Sequence, residues 1–242
     1  MSIHFVTDQI VFLEQIDSTN DFLKKLVKEQ QVKEPFCVYT NFQTNGKGQR
    51  QNTWQSKKGE NLLVSFLVDS IKEIRLLPHL NKCIALGIIE ILKSLEIRDV
   101  SIKWPNDIYV GDQKIAGILI ENVIEGKHIK HCVLGVGLNV NQTEFNGLSA
   151  TSLKQILRKE SSNEGLLQIL FDHFYKLIHL NEFEISERVN KFVYRKGKRV
   201  TFQREDGIKE YIVDTICNNG NLGVMDGNQF IELEHHRVKW IK

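Results

Sequence analysis

The stretch Ser101-Ile-Lys-Trp-Pro-Asn-Asp-Ile-Tyr-Val110 and the nearby Lys114-Ile-Ala-Gly-Ile-Leu-Ile-Glu121 decide the fold. Their β-branched apolar residues predict three strands, at about 100–104, 107–110 and 114–124, with a turn at Gly111-Asp112. Asn106 and Asp107 place an amide and a carboxylate at the end of a buried strand. Because carboxylate oxygens suit Mg²⁺, we expect Asn106 beside an adenine and Asp107 at a metal ion that accompanies a phosphate ester.

Length and composition fit a globular protein of one moderate domain plus a small one. The chain has 242 residues and a net charge of +2, whereas a nucleic-acid scaffold usually carries a strong basic excess. The N-terminus has no signal-peptide pattern, and no apolar run is long enough to span a bilayer. Four cysteines without a CxxC pair indicate buried thiols in a reducing compartment. We therefore expect a cytoplasmic protein without a membrane partner.

Hydrophobic periodicity predicts two regions of different character. Up to residue 192, strands at 11–16, 36–42, 61–68 and 131–140 alternate with helices that start at Ser18 and run over 78–95, 163–180 and 182–191. From residue 193 to 242, short alternating runs are separated by glycine turns, which is typical of a small all-β barrel. The expected fold class is α+β, with a mixed sheet and flanking helices in 1–192 and a small β-barrel in 193–242.

The stretch from Thr44 to Lys58 is polar, contains glycines and has no regular period, so we interpret it as a loop. Glycines let a backbone approach a ligand closely, and Lys47 and Arg50 could face phosphate oxygens. The loop matches neither the dinucleotide-binding nor the Walker pattern. Taken alone, a flexible solvated loop is the better interpretation.

Two other candidates are ambiguous by themselves. Ser18-Thr19-Asn20 has the signature of a helix N-cap, and its hydroxyls and amide could also bind a polar head group. Spacing alone favours the cap. Lys114 begins an apolar strand, where a lysine is usually an exposed edge charge. It becomes a candidate only in the company of the other motifs.

Taken together, these segments closely resemble the biotin protein ligases. The resemblance covers about residues 10 to 142, and its five motifs occur in the family's order. They are Asp17-Ser-Thr-Asn20, Gln43-Thr-Asn-Gly-Lys-Gly-Gln-Arg50 with Trp54, Lys103-Trp-Pro-Asn-Asp107, Lys114-Ile-Ala-Gly117 with Glu121, and Gly135-Val-Gly-Leu-Asn139. The resemblance implies a catalytic domain related to class II tRNA synthetases, followed by a C-terminal SH3-like barrel.

The resemblance also implies a role for each candidate residue. Lys114 would hold the biotin carboxylate and, with Arg50, would act in catalysis. Asp107 is our own hypothesis for the third catalytic residue, the group that orients or deprotonates the attacking amine. The biotin and nucleotide would be bound by a wider set. That set is Ser18, Thr19 and Gln43 for the ureido ring, Gly46, Lys47 and Gly48 for the loop over the adenylate, Trp54 near the acyl chain or closing the loop, Asn106 at the adenine and phosphates, Gly117 and Gly137 to give the ring room, and also Asn20 and Asn139.

The implied reaction joins biotin to a lysine of a biotin carboxyl carrier protein, using ATP and Mg²⁺ and passing through biotinyl-5′-AMP. The loop departs from the family pattern, because many members carry arginines at the positions of Lys47 and Gln49 and a glycine at the position of Gln51. The chain resembles the type without a DNA-binding domain, so no DNA partner is expected. A homodimer is left open, with the strand near 128–138 as the candidate sheet edge.

Two alternatives remain open from the sequence. A lipoate or octanoate ligase shares the fold and the Lys-Trp-Pro-Asn-Asp motif, so that motif does not separate the two substrates. The Ser18 and Gln43 pair and the Gly-Lys-Gly loop favour biotin. The other alternative is a non-catalytic regulator that senses biotin, against which the retained Lys114 argues.

Overall fold

The computed structural model describes residues 4–29, 32–49, 52–70, 73–125 and 128–241. Its larger sheet has eight strands in the order β1-β2-β3-β4-β8-β7-β6-β5. β2 and β3 are parallel and the other pairs are antiparallel, so the sheet is mixed as predicted. The strands are β1 His4–Thr7, β2 Ile10–Leu13, β3 Phe36–Thr40, β4 Asn61–Val68, β5 Val100–Lys103, β6 Asp107–Val110, β7 Gln113–Glu125 and β8 His128–Asn139.

Helices cover both faces of this sheet. They are α1 Thr19–Lys28, α2 Leu77–Ser94, α3 Leu153–Leu157, α4 Asn163–Leu177 and α5 Glu182–Val189. Helix α1 packs on one face over β3, β4 and β8, where its apolar side buries Leu23 and Val27. Helices α2 and α4 pack on the other face over the main core. The helical spacing of apolar residues in the sequence explains why each helix buries one side.

The C-terminal region forms a second, antiparallel sheet in the order β12-β11-β10-β9-β13. All five strands of the predicted β-rich region are confirmed. They are β9 Arg199–Arg204, β10 Gly207–Ile216, β11 Leu222–Asp226, β12 Gln229–Leu233 and β13 Val238–Trp240. Among the described residues no pairing joins β12 to β13, so the sheet is open. Its closure into an SH3-like barrel stays a prediction, as does the boundary at 192/193.

The C-terminal sheet is held against the turn that carries Asn106 and Asp107. The indole nitrogen of Trp104, just before that turn, donates a 2.8 Å hydrogen bond to the carbonyl of Gly220. In the same region the buried Lys82 donates to Ser186 at 2.9 Å, and Ser186 donates to Asn218 at 2.7 Å. The turn at 217–221 thus supports, from outside the larger sheet, the turn that carries Asn106 and Asp107.

Two predictions need correction or extension. The strand near 128–138 was the candidate edge for a homodimer, but β8 lies inside the sheet. From residue 132 onward it pairs with β4 on one side and β7 on the other, so most of its length offers no free edge.

Strand β1 and helix α3 were not predicted, because four and five residues are too few to show a period.

Burial and helix length bear on two other expectations. Cys37, Cys83 and Cys132 are buried and form no disulfide, as predicted, whereas Cys217 is only half-buried. Burial raises the pKa of the Cys83 and Cys132 thiols to about 12. Across the described part of the chain, no helix combines the length and apolar character needed to cross a bilayer.

We predict that Lys82→Met stabilises the protein at neutral pH by about 1 kcal/mol. No carboxylate in the described part of the chain forms an ion pair with this buried ammonium, and a buried charge without such a pair costs solvation energy. Burial lowers the pKa of Lys82. Between the folded and unfolded pKa values the unfolded chain binds more protons, so wild-type stability rises with pH in that window.

Denaturant titrations from pH 7 to pH 10.5 would measure this. The gain from Lys82→Met should shrink as the pH rises, and the exposed Lys176→Met serves as the control. A gain that stays constant with pH would show that the charge of Lys82 is not its cause.

Candidate active site

The predicted motifs converge on one cavity between the N-terminus of α1, the loop after β3 and the middle of β7 and β8. Strand pairing places Gly117 of β7 opposite Gly137 of β8 and Asp107 of β6. Helix α1 packs on β4 and β8, and its residues Asn20 and Lys24 contact Glu121 of β7. The cavity is lined by most of the predicted residues, namely Ser18, Thr19, Asn20, Gln43, Lys47, Gly48, Trp54, Asn106, Lys114, Gly117 and Gly137.

One end of the cavity is formed by the cap of α1 and by Gln43. The Ser18 hydroxyl accepts from the backbone N–H of Asp21 at 3.4 Å, so the predicted N-cap is confirmed. The Gln43 side-chain carbonyl accepts from the backbone N–H of Thr19 at 2.8 Å and from its hydroxyl at 3.0 Å. This fixes the orientation of the Gln43 amide, whose nitrogen must point the other way.

A buried polar chain continues from this end beneath α1. The Ser65 hydroxyl lies 2.7 Å from Thr19 Oγ1 and donates to Asn20 Oδ1 at 2.5 Å. The Asn20 amide nitrogen donates to Glu121 at 2.7 Å, and Lys24 pairs with the other oxygen of that carboxylate at 2.7 Å. Thr19, Asn20 and Ser65 are almost fully buried. Buried polar groups need partners, and these groups supply one another.

The opposite end is cationic. Lys114 Nζ lies 2.6 Å from Asp107 Oδ1, so the two predicted catalytic residues on neighbouring strands form an ion pair. Lys103 Nζ lies over the ring of Tyr109, 4.7 Å from its centroid. Burial lowers the pKa of Lys103, although Asp107 opposes the shift. This end of the cavity can bind a carboxylate or a phosphate.

The loop is more ordered than the sequence predicted. The backbone N–H of Trp54 donates to the carbonyl of Gly46 at 2.9 Å, and that of Gly48 donates to the carbonyl of Asn52 at 2.7 Å. Residues 46–48 and 52–54 therefore lie side by side in antiparallel direction. A side chain at Gly46 would come within 2.6 Å of the Trp54 carbonyl, which explains the glycine.

The structure describes one of the two cations that were predicted to bind phosphate, Lys47 but not Arg50. Lys47 pairs with Asp21 at 2.7 Å on the first turn of α1. Burial tends to raise the pKa of the Asp21 carboxyl. Hydrogen bonds from Lys24 and Lys47 outweigh this effect and hold that pKa below its usual range. Arg50, predicted to be catalytic, and Gln51 lie outside the described residues. The loop thus rests on α1 through Lys47, which would have to leave Asp21 to reach a phosphate.

The indole of Trp54 occupies the middle of the cavity. A Cβ atom at Gly137 would overlap its six-membered ring, and one at Gly117 would lie 3.0 Å from it. Lys114 Nζ is 5.4 Å from the indole centroid. The remaining free volume is about 50 Å³, far below the roughly 300–1,000 Å³ of usual ligand sites. The two glycines, predicted to give a ligand ring room, here give room to Trp54.

Two of the predicted binding residues, Asn139 and Asn106, use their side-chain amides for hydrogen bonds within the protein. Asn139 is buried away from the cavity lining, and its amide donates to the carbonyl of Thr151 at 3.0 Å and, more weakly, to that of Lys114 at 3.4 Å. It therefore fixes the start of β7 instead of contacting a ligand. Asn106 lines the cavity, but its amide donates to the carbonyl of Ile118 at 2.5 Å.

The metal prediction for Asp107 has limited support in this geometry. Among residues 4–29, 32–49, 52–70, 73–125 and 128–241, no group of three or more histidine, cysteine or acidic side chains is placed so that it could hold a metal ion. A magnesium ion usually takes one or two carboxylates and completes its shell with substrate phosphates and water. Asp107 can supply one such carboxylate, so a metal would arrive here with its nucleotide.

Sequence reasoning missed Ser65 and underused Glu121. Ser65 is the one hydroxyl in the apolar strand Asn61-Leu-Leu-Val-Ser-Phe-Leu-Val68, and that contrast was the available signal. Glu121 stood in a recognised motif but had no assigned role. Its contact with Asn20 joins residues 101 positions apart, which no local pattern shows.

Comparison with known proteins places the chain in a family. Residues 12–139 match the model of the biotin/lipoate A/B protein ligase family. Because this match spans more than half of the chain and contains all five motifs, the chain belongs to that family. The resemblance seen in the sequence is thereby confirmed.

Individual relatives are biotin ligases. The chain is 30% identical to the chloroplastic biotin–protein ligase 1 of Arabidopsis thaliana, over 93% of this chain and 64% of the relative. It is 27% identical to the bifunctional ligase/repressor BirA of Bacillus spizizenii, over 69% and 53%. The chain therefore spans between about half and two thirds of these proteins.

A solved structure supports the fold. The biotin protein ligase of Aquifex aeolicus, in complex with biotin and ATP, superposes with a TM-score of 0.79 at 22% identity, over 96% of this chain and 98% of that one. At this identity the match shows a shared fold.

We predict that Gly137→Ala displaces the Trp54 indole, because the added methyl group would overlap its ring. The tryptophan emission maximum should move to longer wavelength, and the free energy of unfolding should fall by about 1–3 kcal/mol. Fluorescence spectra of the ligand-free variant measure the first effect. In a Trp54→Phe background the same substitution should leave the emission of the other tryptophans unchanged. An unshifted spectrum in the first case would place the indole elsewhere.

Proposed function

We propose that the protein attaches biotin to a lysine of a biotin carboxyl carrier protein, at the expense of ATP and through biotinyl-5′-AMP. One observation carries the proposal: a single cavity has fixed donors and acceptors at one end and the Lys114 ammonium at the other. Biotin has a matching polarity, with a ureido ring at one end and a carboxylate at the other. Family membership and the biotin ligase names of its relatives support the same activity.

In the proposed first step, an oxygen of the biotin carboxylate attacks the α-phosphorus of ATP, and the bond to the β-phosphate breaks to release pyrophosphate. Two anions must approach each other, so cations near the reacting atoms lower the barrier. Lys114 would neutralise the carboxylate, and Lys47, with Arg50, would face the phosphates. Mg²⁺ enters with ATP, and Asp107 is the carboxylate available to it.

In the second step, a neutral lysine amine of the carrier attacks the mixed anhydride carbonyl, and AMP leaves. The amine must lose its proton, and Asp107 is the carboxylate at this end of the cavity. Its ion pair with Lys114 gives it a second duty, which is to position the ammonium for both steps. Substrate binding would also require the Trp54 indole to leave the strand glycines, because it fills the space between the two ends.

The alternatives make different demands on the cavity. A lipoate head is a dithiolane ring without hydrogen-bonding N–H or C=O groups, so it would leave the Gln43 amide nitrogen and the Thr19 hydroxyl without a ligand partner, which is costly. A purely regulatory biotin sensor would have no need of the Lys114–Asp107 pair.

We keep the SH3-like assignment of the C-terminal sheet, the cytoplasmic location and a homodimer as predictions. For a dimer, β7 beyond Ile118 has no β6 partner and offers an edge.

The test of this function is mass spectrometry of a carrier domain incubated with the protein, biotin and Mg-ATP. We expect the carrier mass to increase by one biotinyl group, and no increase without ATP. Lipoate in place of biotin should give no product. A lipoyl adduct without a biotinyl adduct would assign the chain to the other branch of the family. Binding of biotin without any transfer would favour the sensor.

The two roles of Asp107 can be separated by single-turnover kinetics. We predict that Asp107→Asn slows both steps and slows transfer from preformed adenylate about tenfold more than adenylation, since only transfer needs a proton acceptor. Lys114→Ala should slow both steps by about 10²–10³-fold. Equal slowing of the two steps by Asp107→Asn would limit this residue to positioning Lys114.

A further inference from the structure

A chain of hydrogen bonds links Glu121, Asn20, Ser65 and Thr19. The donor and the acceptor of each bond can be assigned in only one way. The Glu121 carboxylate can only accept, and it is held in place by Lys24. It therefore captures the amide nitrogen of Asn20. The Asn20 carbonyl oxygen must then face Ser65, and it too can only accept. Because Ser65 has one hydroxyl proton, that proton goes to Asn20 and none is left for Thr19.

This direction decides what Thr19 offers to the cavity. Its hydroxyl has two acceptors inside the protein, Ser65 Oγ at 2.7 Å and Gln43 Oε1 at 3.0 Å, and it receives no proton from Ser65. Thr19 therefore uses its proton within the protein and presents lone pairs to the cavity. Gln43, whose oxygen is held by the Thr19 backbone, presents its N–H₂ group. An acceptor thus lies beside a donor.

We propose that Glu121 is a positioning residue that sets this acceptor–donor pattern and thereby selects a cyclic urea. A urea presents an N–H donor next to a C=O acceptor, which is the complement of the pattern formed by Thr19 and Gln43. Glu121 acts through Asn20 and Ser65 and is absent from the cavity lining among the described residues. The proposal rests on the proposed function and deepens it by naming the group that fixes substrate selectivity.

Space as well as polarity holds the Asn20 amide in place. A Cβ atom at position 135 would come within 2.5 Å of Asn20 Oδ1, so Gly135 leaves room for that oxygen on β8. Ser65, on the neighbouring strand β4, is directly opposite Gly135 in the strand register. The two strands therefore form a slot in which the Asn20 carbonyl is enclosed, and only the partner at residue 121 decides whether oxygen or nitrogen occupies it.

The test exchanges amide and carboxylate between positions 20 and 121. Glu121→Gln keeps the shape but lets residue 121 donate to Asn20, so the Asn20 amide can turn and donate to Ser65. Ser65 then donates to Thr19 and competes with the ligand for its lone pairs. We expect the dissociation constant for biotin, measured by isothermal titration, to rise about tenfold, while the KM for ATP stays within about twofold.

The double variant Asn20→Asp/Glu121→Gln should restore the wild-type direction of hydrogen bonding, in which Ser65 donates its proton to residue 20. The carboxylate at position 20 can only accept, so it takes the Ser65 proton and a proton from the amide at 121. We expect its dissociation constant for biotin to return to within about threefold of wild type. The matched control Lys24→Met removes the ion pair but keeps the Glu121 acceptor, and it should change biotin affinity by no more than about twofold.

The outcomes separate this proposal from the proposed function. Wild-type protein that does not bind biotin would overturn the function itself. Biotin binding that is insensitive to Glu121→Gln would overturn only the role of Glu121. A double variant that binds no better than Glu121→Gln would show that lost packing, and not proton direction, weakens the single variant. If Glu121→Gln does not fold, the double variant and Lys24→Met still test the same point.

Discussion

The central constraint in this protein is that a polar cavity is built into the middle of an apolar sheet. Strand β4 is buried along its whole length, and the parts of β7 and β8 beside the cavity are buried or half-buried, so a polar atom placed there is costly unless another group binds it. Ser65, Asn20 and Glu121 meet this demand as one chain that runs from the cavity to Lys24 at the surface of α1. The position of α1, its capping residues and the orientation of Gln43 all depend on that chain.

The two ends of the cavity are held by different kinds of interaction. The end at Thr19 and Gln43 uses neutral, directional hydrogen bonds, which distinguish one pattern of donors from another. The end at Lys114 and Asp107 uses charge, which attracts any carboxylate or phosphate but does little to distinguish among them. In the proposed function, α1 with the β3 loop would recognise the substrate head, and the β6–β7 hairpin would activate its acid group. The C-terminal sheet supports the second element through the Trp104–Gly220 hydrogen bond.

Local signals in the sequence were enough for most elements. Ser18 was identifiable as a cap because its partner is three residues away, and Lys114 and Asp107 could be placed together because a short hairpin joins their strands. The internal position of β8, the contact of Asn20 with Glu121 and the pairing of Lys47 with Asp21 all depend on residues far apart in the chain. Asn139 follows Gly135 and Gly137 on one side of β8, but residues 150–151 cover the strand at that point, and the motif could not show the contact of its amide with Thr151. The Trp54 indole against the glycines was also outside what a motif can show.

The decisive measurement is a crystal structure of the protein soaked with biotin. We predict that the Trp54 indole leaves Gly117 and Gly137, that the ureido ring contacts Thr19 and Gln43, and that the biotin carboxylate lies within ion-pair distance of Lys114 Nζ. Biotin bound in the reverse orientation, or at another surface while the indole stays over the two glycines, would contradict this prediction.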